Sequence, residues 1–167
     1  GGNTSCLEVR SDSTVLIFDA GTGLRELGVS LLRNPPKSGL DLHLFLSHPH
    51  WDHIQGFPFF GPAYLPSTTL SVYGSEKNEN YQLLSGQMSN AYFPVRFSDL
   101  GANIVSRSFA GTSVKAGSTV VTSFGQKHPG GSMGFRVEHD GKSVVFATDS
   151  ELDQVLLNPN DVKKPET

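Results

Sequence analysis

Residues 41–47, DLHLFLS, alternate Leu42, Leu44 and Leu46 with Asp41, His43, Phe45 and Ser47, the period-two pattern of a strand. The strand runs directly into His48-Pro49-His50-Trp51-Asp52-His53, which puts three imidazoles and a carboxylate within six residues. With six histidines in 167 residues, chance placement of such an HxHxDH run is expected only about 4 times in 10,000 chains of this composition, so the pattern constrains the fold strongly. Residues two apart in an extended segment point the same way, which lets His48 and His50 reach one metal ion at the strand end. Asp52 and His53 then turn toward a second position. Neutral imidazole and carboxylate suit two divalent ions, zinc first and manganese or iron as alternatives, and a catalytic site keeps one coordination place open for water.

Around that strand the chain alternates elements. Residues 5–10 and 14–19 are β-rich runs separated by the polar cluster Ser11-Asp12-Ser13, and they predict an antiparallel hairpin. Leu24, Leu27, Leu31 and Leu32 recur at helical spacing until Asn34-Pro35-Pro36 stops the helix. Residues 57–66 carry three prolines and predict an apolar loop, followed by a strand at 69–73. A helix is expected from Asn78 to Met88 with Asn78 as N-cap, then a loop around Tyr92-Phe93-Pro94. Strands are expected near 103–109, 118–124, 133–138 and 143–148, the last two joined by a tight turn at Asp140-Gly141. Strands and helices with apolar faces on both predict a layered α/β arrangement in a single domain over residues 1–160, with a polar, frayed tail at 161–167.

Composition narrows the partners. A net charge of −3 leaves no broad basic face for gripping a nucleic-acid backbone. No apolar run approaches the roughly 20 residues needed to span a bilayer, so no membrane partner is expected. The single cysteine, Cys6, excludes an internal disulfide framework, fits a reducing and therefore cytoplasmic compartment, and reads as a buried apolar side chain. The first residue is Gly1, so the natural N-terminus is expected to have been removed. A homodimer is left open.

Beyond the HPHWDH run, the segments GGNTSCLEV at 1–9, LIFDAGTGLRELG at 16–28, WDHIQGFPFF at 51–60, HPGGSMGFRVE at 128–138 and FATDSE at 146–151 are informative in order and spacing. Together they resemble the metallo-β-lactamase-fold hydrolases, in the phosphodiesterase-like branch that includes ribonuclease Z and cyclic-nucleotide phosphodiesterase relatives. The resemblance implies a four-layer αβ/βα sandwich, incomplete at both termini, with the site at one edge of two sheets. It implies that His48, His50 and His128 hold one metal, that Asp52 and His53 hold the second, and that Asp149 bridges both. It further implies a catalytic role for Asp52, and that Asp19 with the turn Gly21-Thr22-Gly23 packs beneath the ligands, Asp19 orienting a histidine. His128 and Asp149 also qualify on their own residues, each following an expected strand beside turn-forming neighbours. The family takes one more histidine from a C-terminal segment, and no histidine follows Asp149 here. The chain therefore reads as a fragment trimmed at both ends, with its second metal position one ligand short.

The function implied is metal-dependent hydrolysis, foremost of a phosphodiester such as a cyclic nucleotide or nucleic-acid-type bond in a small anionic substrate, with a metal-bridging hydroxide as nucleophile. A thioester, lactone or β-lactam hydrolase is the alternative on the same fold, and a catalytically idle metal-binding module is the alternative outside enzymes. A redox di-iron role is a minor option. His43, inside a strand, and His139, in a turn, are expected to be structural. Gly21-Thr22-Gly23 fails as a dinucleotide fingerprint because Glu26 occupies the third glycine position. Phe57, Phe59, Phe60, Tyr64, Tyr92 and Phe93 are expected mostly in the core, with a substrate pocket as the alternative. Trp51 is expected to pack behind the ligand run.

Overall fold

The computed structural model describes residues 2–12, 14–74, 77–109 and 113–151. The expected tail at 161–167 and the boundary at 160 lie outside them. The hairpin forms as β1 (Leu7–Ser11) and β2 (Thr14–Phe18), antiparallel with Leu7 opposite Phe18. The leucine-spaced segment is α1 (Gly23–Arg33), and it returns the chain to β3 (Leu40–Phe45), which pairs with β2 in parallel. A short turn of helix, α2 (Trp51–Ile54), follows, and then β4 (Thr68–Gly74), α3 (Lys77–Gly86) and β5 (Asn103–Ser108) complete a five-stranded sheet in the order β1-β2-β3-β4-β5. Strands β6 (Ser113–Ala116), β7 (Thr119–Gln126), β8 (Ser132–His139) and β9 (Lys142–Phe146) form a second, antiparallel sheet in chain order. At the β8–β9 turn Asp140 and Gly141 both have positive φ, +46° and +69°, as a tight hairpin of opposite-handed turn requires.

Two cores hold these layers. Leu24 and Leu31 of α1, with Phe57, Phe60, Leu84 and Met88, pack on Ile17, Leu42, Leu44, Leu70 and Val72 of the first sheet. On that sheet's other face, Leu16, Phe18, Phe45 and Tyr73 meet Val121, Phe135 and Val137 of the second sheet. Helix, sheet and sheet thus supply three of the four expected layers among the described residues. No helix among them is long and apolar enough to cross a membrane.

Several expectations are corrected. The alternation in β3 separates core from solvent only at its start, where Asp41 is exposed and His43 half-buried; farther along, Leu44 and Phe45 are both fully buried, one in each core, because the second sheet covers that end. Helix α3 begins at Lys77 and ends at Gly86, so Asn78 is its second residue rather than its N-cap. Residues 57–66 fold into two 3₁₀ turns, Phe57–Phe59 and Gly61–Tyr64. Pro58 and Pro62 sit in the opening positions of those turns, where a missing N–H costs nothing. Strand β6 was not expected, its four residues SVKA being too short to carry a period.

Candidate metal centre

The ends of β2 and β3 lie side by side, and the loops that leave them meet the β7–β8 turn and the end of β9. Asp19 follows β2 at φ +63° and Asp149 follows β9 at φ +39°, left-handed positions that Asp tolerates better than most residues. His50 is extended (φ −58°, ψ 146°) and hands the chain to α2. That turn is fixed from below: Ala20 N–H donates to the His53 carbonyl at 2.7 Å, and Gly56 N–H donates to the Ala20 carbonyl at 2.8 Å. Across the two sheets, Met133 N–H donates to the Ser47 carbonyl at 2.9 Å.

These loops bring all six expected ligands together. His48, His50, His128 and Asp149 form one group and Asp52, His53 and Asp149 a second, the donor atoms of each lying within 4.8 Å of one another. His50 Nδ1 is 3.0 Å from His48 Nε2 and 3.0 Å from His128 Nε2. Asp149 spans both groups: its Oδ2 is 3.7 Å from His48 Nε2 and 3.7 Å from His128 Nε2, while its Oδ1 is 3.4 Å from His53 Nε2. Asp52 Oδ2 lies 3.4 Å from the same His53 nitrogen. Bonds of about 2.0–2.1 Å to a tetrahedral ion place neighbouring donors about 3.3 Å apart, so these spacings fit divalent ions held by imidazole and carboxylate.

Beneath the ligands, Asp19 is fully buried. It accepts from Ser47 N–H at 2.8 Å, from the Ser47 hydroxyl at 3.0 Å and from His53 Nδ1–H at 2.7 Å. That last bond leaves the lone pair of His53 on Nε2, facing Asp52 and Asp149. Burial pulls His53 toward the neutral form, but the Asp19 hydrogen bond and the charges of Asp19, Asp149 and Asp52 outweigh it and raise its pKa. Burial, reinforced by the neighbouring imidazoles of His53 and His50, pushes His48 down to about 4, which leaves its imidazole neutral at about pH 7. For Asp149, burial opposes ionisation but is outweighed by the Thr148 hydroxyl and by His53, His48 and His128, which together lower its pKa.

Other expected residues fall elsewhere. His43 sits beside the Tyr73 hydroxyl (3.1 Å), and His139 lies near Asp12 and Asp140 at the opposite edge, so neither joins a ligand group. Trp51 does not pack behind the ligands: it is 59% exposed, because adjacency in sequence to buried His53 does not fix which way a residue on a single helical turn faces. Phe57 and Phe60 are core, Tyr64 and Phe93 are half-buried, and Phe59 and Tyr92 are exposed. Cys6 is half-buried rather than interior. A cavity of about 590 Å³ opens beside His48, walled by Pro49, Leu83 and Met133 with Gln82 and Gly130-Gly131. Two residues escaped the sequence reading: Ser47, which contacts His48 Nδ1 at 2.9 Å, and Glu151, 3.6 Å from His128 Nδ1. A lone polar residue beside a motif carries no pattern of its own.

Comparison with known proteins gives this geometry a family. Residues 14–159 match the profile of the beta-lactamase superfamily domain. Two curated relatives are ribonuclease Z proteins. That of Staphylococcus carnosus is 30% identical over 108 residues, 59% of this chain and 34% of the relative. That of Haloarcula marismortui is 23% identical over 162 residues, 94% of this chain and 49% of the relative. The chain thus spans between a third and a half of the length of those relatives. Its fold is similar to that of the metallo-beta-lactamase fold protein YhfI from Bacillus subtilis (TM-score 0.60, 23% identity, 88% of this chain and 55% of that one). It is also similar to the short form of human tRNase Z (TM-score 0.57, 18% identity, 92% of this chain and 66% of that one). With the profile spanning most of the chain and the His/Asp groups assembled where its two sheets meet, the protein belongs to the beta-lactamase superfamily domain family and has the metallo-β-lactamase fold.

Proposed function

We propose that this chain carries the binuclear metal centre of a hydrolase whose substrate is a phosphodiester. The observation that carries the reading is Asp149, whose two oxygens divide between the two ligand groups as a bridging carboxylate would. His48, His50 and His128 would hold one ion and Asp52 and His53 the other, with zinc favoured by the donor set and manganese or iron compatible with it. When bound, two such ions supply Lewis-acid polarisation and an activated water nucleophile. The protein's own residues position and exclude. Asp52, whose side chain is 54% exposed, would accept the proton released as water attacks. Asp19 keeps His53 aimed inward, and the cavity beside His48 receives an organic group of the substrate against Pro49, Leu83 and Met133. The ribonuclease Z relatives support a phosphodiester over other esters.

The test is hydrolysis of bis-p-nitrophenyl phosphate by metal-loaded protein, with metal content measured alongside. Turnover abolished by chelation and restored by zinc or manganese is expected, and Asp149→Ala should lower it by about a thousandfold or more. Faster turnover of thioesters, lactones or β-lactams than of phosphodiesters would reverse the substrate assignment. One tightly bound ion with no turnover of any of these would favour a metal-binding module, a reading supported by the second group, which offers only Asp52, His53 and the shared Asp149 among the described residues.

A further inference from the structure

We infer that Ser47 is a positioning residue: its hydroxyl sets which nitrogen His48 presents to an ion and, through Asp19, joins the two ligand groups. The assignment follows from counting protons. Ser47 is 3% exposed, and its hydroxyl stands 3.0 Å from Asp19 Oδ2 and 2.9 Å from His48 Nδ1. A hydroxyl donates once, and the carboxylate is the stronger acceptor, so the proton goes to Asp19. The contact with His48 can then be a hydrogen bond only if Nδ1 carries a proton and the serine oxygen accepts it. His48 Nε2 is left with its lone pair, and that is the nitrogen 3.0 Å from His50 Nδ1 and 3.7 Å from Asp149 Oδ2. With the opposite tautomer a hydrogen would stand on Nε2, where an ion has to bind.

The same oxygen serves the other group. Asp19 Oδ2 also accepts from His53 Nδ1–H at 2.7 Å, so one carboxylate oxygen holds a ligand of the second group directly and a ligand of the first through Ser47. Ser47 is itself pinned: its N–H donates to Asp19 Oδ1 at 2.8 Å and its carbonyl accepts from Met133 N–H of the second sheet at 2.9 Å. A hydroxyl held by two partners, on a backbone held at both its N–H and its carbonyl and almost wholly buried, is fixed in place, and the orientation of His48 follows from it. The ion-binding part of this inference rests on the binuclear reading above, whereas the tautomer part does not.

Nitrogen NMR of ¹⁵N-labelled, metal-free protein at about pH 8 reads the His48 tautomer directly. The wild-type His48 is expected as the Nδ1–H form, Ser47→Ala as the Nε2–H form or a mixture, and Ser47→Thr as wild type. Calorimetric metal titration should show the tighter ion weakened about 10- to 100-fold in Ser47→Ala and little changed in Ser47→Thr. A wild-type His48 protonated on Nε2 overturns the inference without any variant, so a Ser47→Ala protein that does not fold leaves it testable. Retention of both the Nδ1–H form and wild-type metal affinity in Ser47→Ala also overturns it. Absence of hydrolytic turnover, with the NMR as expected, would sink the proposed reaction and leave Ser47 in its role.

Discussion

Four donors converge on the buried carboxylate of Asp19: the N–H and hydroxyl of Ser47, Nδ1–H of His53, and the Ser5 hydroxyl at 3.3 Å. Removing one partner from a buried charged network leaves the others unsatisfied, and Asp19→Ala is expected to lose at least about 3 kcal/mol of stability in urea unfolding, with metal affinity falling at both positions. Asp19→Asn should lose less, since one acceptor oxygen remains. A loss below about 1 kcal/mol would show that the four donors find other partners once the carboxylate is gone. Cys6 offers a pH test. Burial, then the charges of Asp19 and Glu8, push its thiol up to about 12 from 9.0. The unfolded chain deprotonates first, so stability from this group is fully present below about pH 9 and declines as pH rises toward 12. Alkylation by iodoacetamide near pH 8 should accordingly be far slower in native than in denatured protein, and equal rates would contradict it. At this scale the run from His48 to His53 was legible on its own, because clustered His and Asp at a strand end are chemically unusual, whereas His128, Asp149 and Asp19 were drawn to it mainly by the family resemblance, and the structure brings all of them together. Ser47 and Glu151 were not legible, since serine and glutamate are common everywhere and only proximity gives them meaning.

The glycines around α2 show how elements, rather than single side chains, aim the ligands. The turn after β2 and the residues after α2 touch backbone to backbone: a Cβ on Gly56 would collide with the Gly21 carbonyl oxygen, and one on Gly21 with the Asp52 carbonyl oxygen. This is why Gly21-Thr22-Gly23 contains glycine without belonging to a dinucleotide fingerprint; Gly21 is needed for close approach. Gly56→Ala should therefore push α2 away from β2, costing about 2–3 kcal/mol in thermal or urea unfolding and weakening the ion held by Asp52 and His53. Gly86→Ala is the control, because its Cβ would meet nothing within 4 Å, and it should be neutral or slightly stabilising. Equal losses in both variants would argue against a packing role for Gly56. Element type was largely legible from periodicity: the hairpin, α1 and the later strands stand close to where the pattern put them. What pattern could not supply was context. Proline-rich 57–66 becomes two 3₁₀ turns because Phe57 and Phe60 have a core to enter, and β3 buries Phe45 as well as Leu44 because a second sheet covers its end.

Across the whole molecule, the proposed ligands come from both sheets. His48, His50, Asp52 and His53 leave the first sheet after β3, while His128 leaves the second after β7 and Asp149 after β9. Between the sheets Phe135 meets Phe18 (5.5 Å) and Phe45 (5.8 Å), and at the site edge a backbone bond from Met133 N–H to the Ser47 carbonyl crosses the seam. Ions coordinated from both sides would add bonds across that seam which the unfolded chain cannot make, so metal binding should stabilise the fold by mass action, by about 2.7 kcal/mol when free metal is a hundred times its dissociation constant. The distribution of that stabilisation carries the structural content. Hydrogen exchange with and without zinc should show added protection in β7–β9 as well as in β2 and β3, because opening either sheet would break the centre. His128→Ala should remove the added protection from β7 while β9, still tied to Asp52 and His53 through Asp149, keeps part of it. Protection limited to residues 48–53 in the wild type would mean that His128 and Asp149 lie near the ions without binding them, and the centre would then belong to one sheet alone.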